Sequence, residues 1–156
     1  MIVGLLGIDQ HEVGALAVAG LLRDAGMEVI YAGRYNTPAS FVRTALDEDA
    51  DVIGISCHSW EYLAYVPDLI GMIEREGLDV SVVLGGSVIT PADTRTMLEA
   101  GVAAVFGPDA AADQIVQDIR ALAAARQERV QAALRPTEPT ADRIQPFGTA
   151  DTEKEA

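Results

Sequence analysis

Two short stretches gather the residue types that do chemistry. Gly7–Gly14 (GIDQHEVG) places His11 two residues after Asp9. Ser56–Trp60 (SCHSW) holds the second histidine, His58, with the only cysteine, Cys57, and the only tryptophan, Trp60. A neutral imidazole on a glycine-flanked loop binds a transition metal through one ring nitrogen. A nearby carboxylate accepts a hydrogen bond from the other nitrogen, which sets the tautomer and raises ligand basicity. One such histidine is too few for a closed zinc site, which takes about four protein ligands. A single axial ligand suits a metal whose other positions a macrocycle fills. Taken alone, such a pair is more often a surface Asp–His contact. Gly85-Gly86 and Gly107-Pro108 remove side chains where a bulky ligand would approach the backbone, or simply make turns.

These residues need a scaffold, and the composition supplies one. The 156 residues, 49% hydrophobic and 22% charged, describe one globular domain. A chain of this length buries about 70% of the surface that its unfolded form exposes, so it needs no disulfide staple. With 24 acidic residues against 11 basic ones, the formal charge is −13. That charge repels phosphate backbones and anionic lipid, so neither nucleic acid nor a membrane is expected as a partner. No apolar run reaches the roughly 18 residues of a membrane span, and no basic region precedes the first apolar stretch as in a signal peptide. The expected location is the cytoplasm.

Short β-rich runs alternate with helical stretches. Strands are expected at Ile2–Leu6, Glu28–Ala32, Asp51–Ser56, Ser81–Leu84 and Ala103–Phe106. Helices are expected at Ala15–Ala25, from Pro38 to about Asp47, at Tyr62–Glu76, from Pro91 to Gly101 and from about Ala111 into the 130s. Thr37-Pro38 and Thr90-Pro91 each pair an N-cap threonine with proline at the first helical position. Five βα units in strict alternation predict a parallel sheet with helices on both faces, in the flavodoxin-like order 2-1-3-4-5. The expected organisation is a domain over 1–134 and a flexible acidic tail over 135–156, where prolines and charges replace aliphatic residues. In such a sheet ligands bind beyond the carboxyl ends of the strands where strand order reverses, here between strands one and three. Those strands lead into the two histidine-bearing loops.

Asp9-x-His11-x-x-Gly14, a serine ending strand three and Gly-Gly after strand four together resemble the cobalamin-binding domain. The variety is the one in which histidine replaces dimethylbenzimidazole as the lower cobalt ligand. The resemblance runs from about Ile2 to Arg120. RDAGMEVIYAG, TPASFVRTALDEDADVIGIS and AGVAAVFGP are similar to stretches of acyl-CoA mutases of the methylmalonyl-CoA and isobutyryl-CoA type. It implies that His11 coordinates cobalt with Asp9 behind it, and that Gly14 lets the loop turn into a helix along the nucleotide tail. It also implies that the displaced base slides between strands one and three, where Ser56 hydrogen-bonds it. Gln10, Glu12, Val13, His58, Gly85, Gly86, Gly107 and Pro108 complete the expected cofactor contacts. The cofactor implied is adenosylcobalamin, whose cobalt–carbon bond breaks homolytically. The partner implied is a large TIM-barrel subunit, in a heterodimer or heterotetramer, without which this chain is inactive.

The departures bear on substrate. Acyl-CoA mutases commonly read D-G-H-D-R-G, whereas Gln10, Glu12 and Val13 stand here. Leu5 occupies the place of a lysine four residues before the aspartate, so no cation is expected to compensate Asp9. In these respects GIDQHEVG is nearer the small component of glutamate mutase. The family's S-x-L is Ser56-Cys57-His58, which makes His58 a second candidate for a polar contact, beside a plain pocket-lining role. Cys57 is expected to be a buried small hydrophobe. Trp60 and Tyr62 suit either an interface or a cap on the sheet. A corrinoid methyl-transfer protein shares the loop but carries a helical domain before it, for which a first strand at Ile2 leaves no room. A DNA-binding regulator lacks a basic face here. A signalling receiver needs an aspartate and a lysine where Ser56 and Gly107 stand, and a dinucleotide-binding domain needs a G-x-G-x-x-G that is absent.

Overall fold

The structure, a computed structural model, describes residues 1–135. The tail expected over 135–156 lies, apart from Arg135, outside the described residues. In chain order the elements are β1 (Ile2–Leu6), α1 (Glu12–Asp24), β2 (Ile30–Asn36), α2 (Pro38–Asp47), β3 (Val52–Ser56), α3 (Tyr62–Glu76), β4 (Ser81–Gly85), α4 (Pro91–Glu99), β5 (Ala104–Phe106) and α5 (Ala112–Leu134). The five strands form one parallel sheet in the order β2-β1-β3-β4-β5, as the alternation predicts. Both threonine–proline starts form capping boxes. Thr37 Oγ1 accepts from Ser40 N at 3.1 Å, and Thr90 Oγ1 accepts from Asp93 N at 3.1 Å.

Two elements, β2 and α1, depart from expectation by three residues or more at one end. β2 starts at Ile30 rather than Glu28 and runs to Asn36. Just before it, the Met1 ammonium donates to the Glu28 carbonyl and the Arg23 side chain to the Val29 carbonyl, each at 2.9 Å. At the far end the Asn36 amide donates to the carbonyls of Leu5, Ala32 and Gly33, which prolongs the strand. α1 starts at Glu12, three residues earlier than expected. Glu12 is fixed there by the Tyr31 hydroxyl at 2.8 Å and the Arg34 guanidinium at 3.2 Å. Gly14 therefore sits within the first turn of the helix and does not form the bend that precedes it.

The period-2 alternation of the strands divides the core. Ile53, Ile55, Cys57, Val82 and Leu84 face α2, α3 and α4, packing with Phe41, Tyr62, Leu69 and Met97. Val3, Leu5, Val52 and Val83 face α1 and α5, packing with Ala15, Ala19, Leu22 and Ile119.

Candidate functional site

The β1–α1 loop is tied to the β3–α3 loop by two carboxylates working in opposite directions. Asp9, 4% exposed, accepts from His11 N at 3.0 Å and from His11 Nδ1 at 2.8 Å through one oxygen. Through its other oxygen it accepts from the His58 backbone N–H at 2.7 Å. In return Glu61 accepts from the backbone N–H of Ile8 at 3.1 Å and from the Ser59 hydroxyl at 3.0 Å. Gly7 makes room for this clasp: its φ is +64°, and a Cβ there would lie 2.7 Å from the Glu61 carboxyl. Burial alone would push the Asp9 carboxyl up, but the donors from His11 and His58 together hold it below its ordinary value. With Leu5 fully buried in β1, these N–H groups do the work of the missing cation.

An ionised carboxylate only accepts, so the proton shared between Asp9 and His11 belongs to Nδ1. The lone pair of the neutral ring is then on Nε2, on a side chain that is 69% exposed. The imidazole is oriented, held in one tautomer and open to a ligand beyond the sheet edge.

Beside this loop lies a cavity of about 320 Å³. It lies on the α1/α5 face of the sheet, with Val3 of β1 and Gly54, Ile55 and Ser56 of β3 among its lining residues. Its walls come from α1 (Gly14, Ala15, Val18) and α5 (Ile115, Ile119), and its floor from the sheet. Small residues make the space. Gly54 pairs in register with Val83, and Ser56 with Gly85, so Gly54, Ser56 and Gly85 open the same face. A Cβ on Gly54 would come within 2.8 Å of the Met1 methyl group at the cavity floor. Gly86 is required for a different reason: a Cβ there would lie 1.8 Å from the Cys57 carbonyl oxygen. The closeness of the β3 and β4 loop backbones thus excludes every other residue. Ser56 is the polar group on this floor, and among the described residues its hydroxyl has no hydrogen-bond partner.

The structure brings together most of the residues singled out from sequence. Asp9, His11, Gly14, Ser56 and His58 cluster where β1 and β3 end, and His58, Gly85, Gly86, Gly107 and Pro108 all line the cavity. Gly14 serves by close approach, since a Cβ there would lie 3.2 Å from His58 Nε2. Gln10 and Val13 are exposed on the rim, and Glu12 is engaged by Tyr31 and Arg34 instead of the cavity. Cys57 is buried against the opposite core. Trp60 is 66% exposed while Tyr62 is buried, donating to Asp93 at 2.9 Å. Sequence reasoning missed Gly54, Glu61 and the α5 wall. The signal for Gly54 was present, because it alternates with Ser56 along one strand.

A doubly wound sheet with a carboxylate-oriented histidine above a glycine-floored cavity defines a class: α/β proteins that carry a large cofactor across one edge. The comparisons identify which. The family described as B12 binding domain matches residues 1–117, and the chain belongs to that family; it is a cobalamin-binding domain. It is 42% identical over 132 residues to the pivalyl-CoA mutase small subunit of Xanthobacter autotrophicus, covering 83% of this chain and 88% of that protein. It is 38% identical over 124 residues to the 2-hydroxyisobutanoyl-CoA mutase small subunit of Aquincola tertiaricarbonis, covering 80% and 91%. Among solved structures, a cobalamin-binding protein from Desulfitobacterium hafniense DCB-2 superposes with a TM-score of 0.65 at 19% identity. That match covers 76% of this chain and 56% of the other, and supports the fold. No helix among the described residues is long and apolar enough to cross a membrane.

Proposed function

We propose that the chain is the cobalamin-carrying small subunit of an adenosylcobalamin-dependent carbon-skeleton mutase, an isomerase acting on an acyl-CoA. The observation that carries the reading is the Asp9–His11 pair beside the glycine-floored cavity. Nδ1 is committed to a buried carboxylate, Nε2 is free, and a space with one unpartnered hydroxyl lies alongside. In this reading His11 is the lower cobalt ligand and Asp9 keeps its tautomer. Ser56 hydrogen-bonds the displaced base, while Gly14, Gly85, Gly86, Gly107 and Pro108 leave room for the nucleotide tail. Gln10, Val13 and the backbone around Glu12 meet the corrin from the rim. The large apolar area gives affinity and the few polar groups give orientation. Bound adenosylcobalamin supplies the radical that begins the rearrangement; this chain's residues hold the cofactor and exclude water from its tail.

Relatives named as small subunits of CoA mutases support an acyl-CoA over an amino acid, despite the glutamate-mutase-like loop, and support a larger catalytic partner. We assign that partner a TIM barrel closing over the corrin in the cytoplasm, in a heterodimer or heterotetramer. Ile8, Val13 and Trp60, at 74%, 83% and 66% exposure, offer it an apolar rim at the same edge. The methyl-transfer reading uses the same loop, but the mutase relatives favour isomerisation. The test is the hyperfine coupling of reduced cobalt in the bound cofactor. Nitrogen-15 labelling of histidine should change it in the wild type and not in His11→Ala. Coupling that follows a labelled benzimidazole nitrogen would overturn the assignment.

A further inference from the structure

His58 is left without work by the reading above. Its backbone N–H is committed to Asp9, but its imidazole is not. Nδ1 lies 3.4 Å from the Ser87 hydroxyl, on the loop after β4. Nε2 reaches the cavity side of α1: the point a Gly14 Cβ would occupy is 3.2 Å from His58 Nε2 and 3.6 Å from Ser56 Oγ. The two polar heads therefore flank one position and are close enough to touch the same two-ring heterocycle. The surrounding walls are apolar, formed by Ala15, Val18 and Ile115 among others. The His11 ring stands 5.5 Å away, centroid to centroid, and is held by Asp9, so it does not compete for the same partner.

We propose, on the reading that a corrinoid's displaced base occupies this cavity, that His58 is a specificity-determining residue for that base and favours a purine over dimethylbenzimidazole. A base in the cavity covers His58 and strips water from Nε2. Dimethylbenzimidazole offers one free ring nitrogen, which Ser56 takes, and its second ring carries only C–H and methyl groups. Nε2 is then buried without a partner. A purine has ring nitrogens on both rings, and adenine adds an amino group, so its second edge both accepts and donates. Because the Ser87 hydroxyl can donate or accept at Nδ1, either tautomer of His58 is available to meet that edge. Discrimination that leaves a buried polar group unpaired with the wrong ligand is stronger than discrimination by fit to an apolar wall.

The experiment measures dissociation constants of cobalamin and of its adenine-base counterpart, with the absorption spectrum reporting whether the base has left cobalt. Wild type, His58→Leu, His58→Gln and Ser56→Ala are compared as full chains. The informative quantity is the purine-to-benzimidazole affinity ratio of each variant relative to wild type. Taking it cancels the different strengths with which the two bases hold cobalt in the free cofactor. His58→Leu should lower the ratio about tenfold, the effect of one buried hydrogen bond. His58→Gln, whose amide both donates and accepts, should restore most of it, and Ser56→Ala should weaken both cofactors together. Displaced-base binding of both cofactors with the ratio unchanged in His58→Leu overturns this proposal and leaves the functional reading standing. Failure to bind either cofactor, or binding with the base still on cobalt, overturns both.

Discussion

Ser56 and Cys57 are neighbours in the chain and belong to opposite worlds. Ser56 opens onto the α1/α5 face of the sheet, where Gly54, Gly85, Gly14 and Ala15 leave a cavity of about 320 Å³. Cys57 points to the other face, where Phe41, Tyr62, Leu69 and Met97 fill the space with large side chains. One face is packed to hold the fold together and the other is under-packed to hold something else. Interiors are normally close-packed, and an unfilled apolar space costs stability. The sheet can carry such a space on one side because its other side is complete.

The packed face should therefore carry most of the stability. Phe41→Ala, at a fully buried position, should destabilise by about 3–5 kcal/mol, measured by urea unfolding. A loss below about 1 kcal/mol would mean that the two faces do not differ as described. The same contrast appears in reactivity. Burial, followed by the charge of Asp9, pushes the Cys57 thiol up to about 12 from 9.0. The native thiolate at pH 8 should then be about a thousandfold scarcer than in the unfolded chain. Alkylation by iodoacetamide, followed by mass spectrometry, should be correspondingly slow until denaturant is added. Rapid native labelling would place Cys57 on the open side.

The open face predicts the opposite behaviour. Gly54→Val puts a side chain into the cavity, where the nearest obstacle is the mobile end of Met1. Its stability should change by no more than about 1–2 kcal/mol, while cobalamin affinity should fall at least tenfold, read by equilibrium dialysis. Unchanged affinity would show that the cavity is not where the cofactor tail sits.

How far this could be read from sequence follows the same division. Strand order, helix caps and the two histidine loops are local or periodic signals, and Asp9, His11, Ser56 and Gly86 stood out by type and spacing. The cavity did not, because it is a property of register. Gly54 matters only when Val3 and Val83 lie beside it, and Ile115 and Ile119 become a wall only when α5 packs across. Glu61 was illegible for the same reason, since its partner Ile8 is 53 residues away. Gly14 was read as the residue that lets the loop turn into the helix. A glycine between a loop and a helix suggests a bend, and only the position of His58 shows that it makes room.

The smallest effect lies at the end of the molecule farthest from the histidine loops. There α5, the cavity wall, is stapled to the sheet by Arg126, which pairs with Asp49 and Asp51, and by Arg129, which pairs with Asp79 at 2.7 Å. The Arg129 guanidinium, donating through two nitrogens, holds the Asp79 carboxyl below its ordinary value of 3.8. A carboxyl lowered in the folded state binds its proton more readily when unfolded. Its stabilisation is present above that value and is lost as pH falls through the lower, folded one. Both partners are about half exposed, so solvent screens most of the attraction, and the loss should be smaller than any of the effects above. Asp79→Asn should flatten this part of the acid limb of stability against pH without changing cobalamin affinity at neutral pH. If affinity fell instead, the staple would be setting the position of the α5 wall, and the two ends of the helix could not be treated as independent.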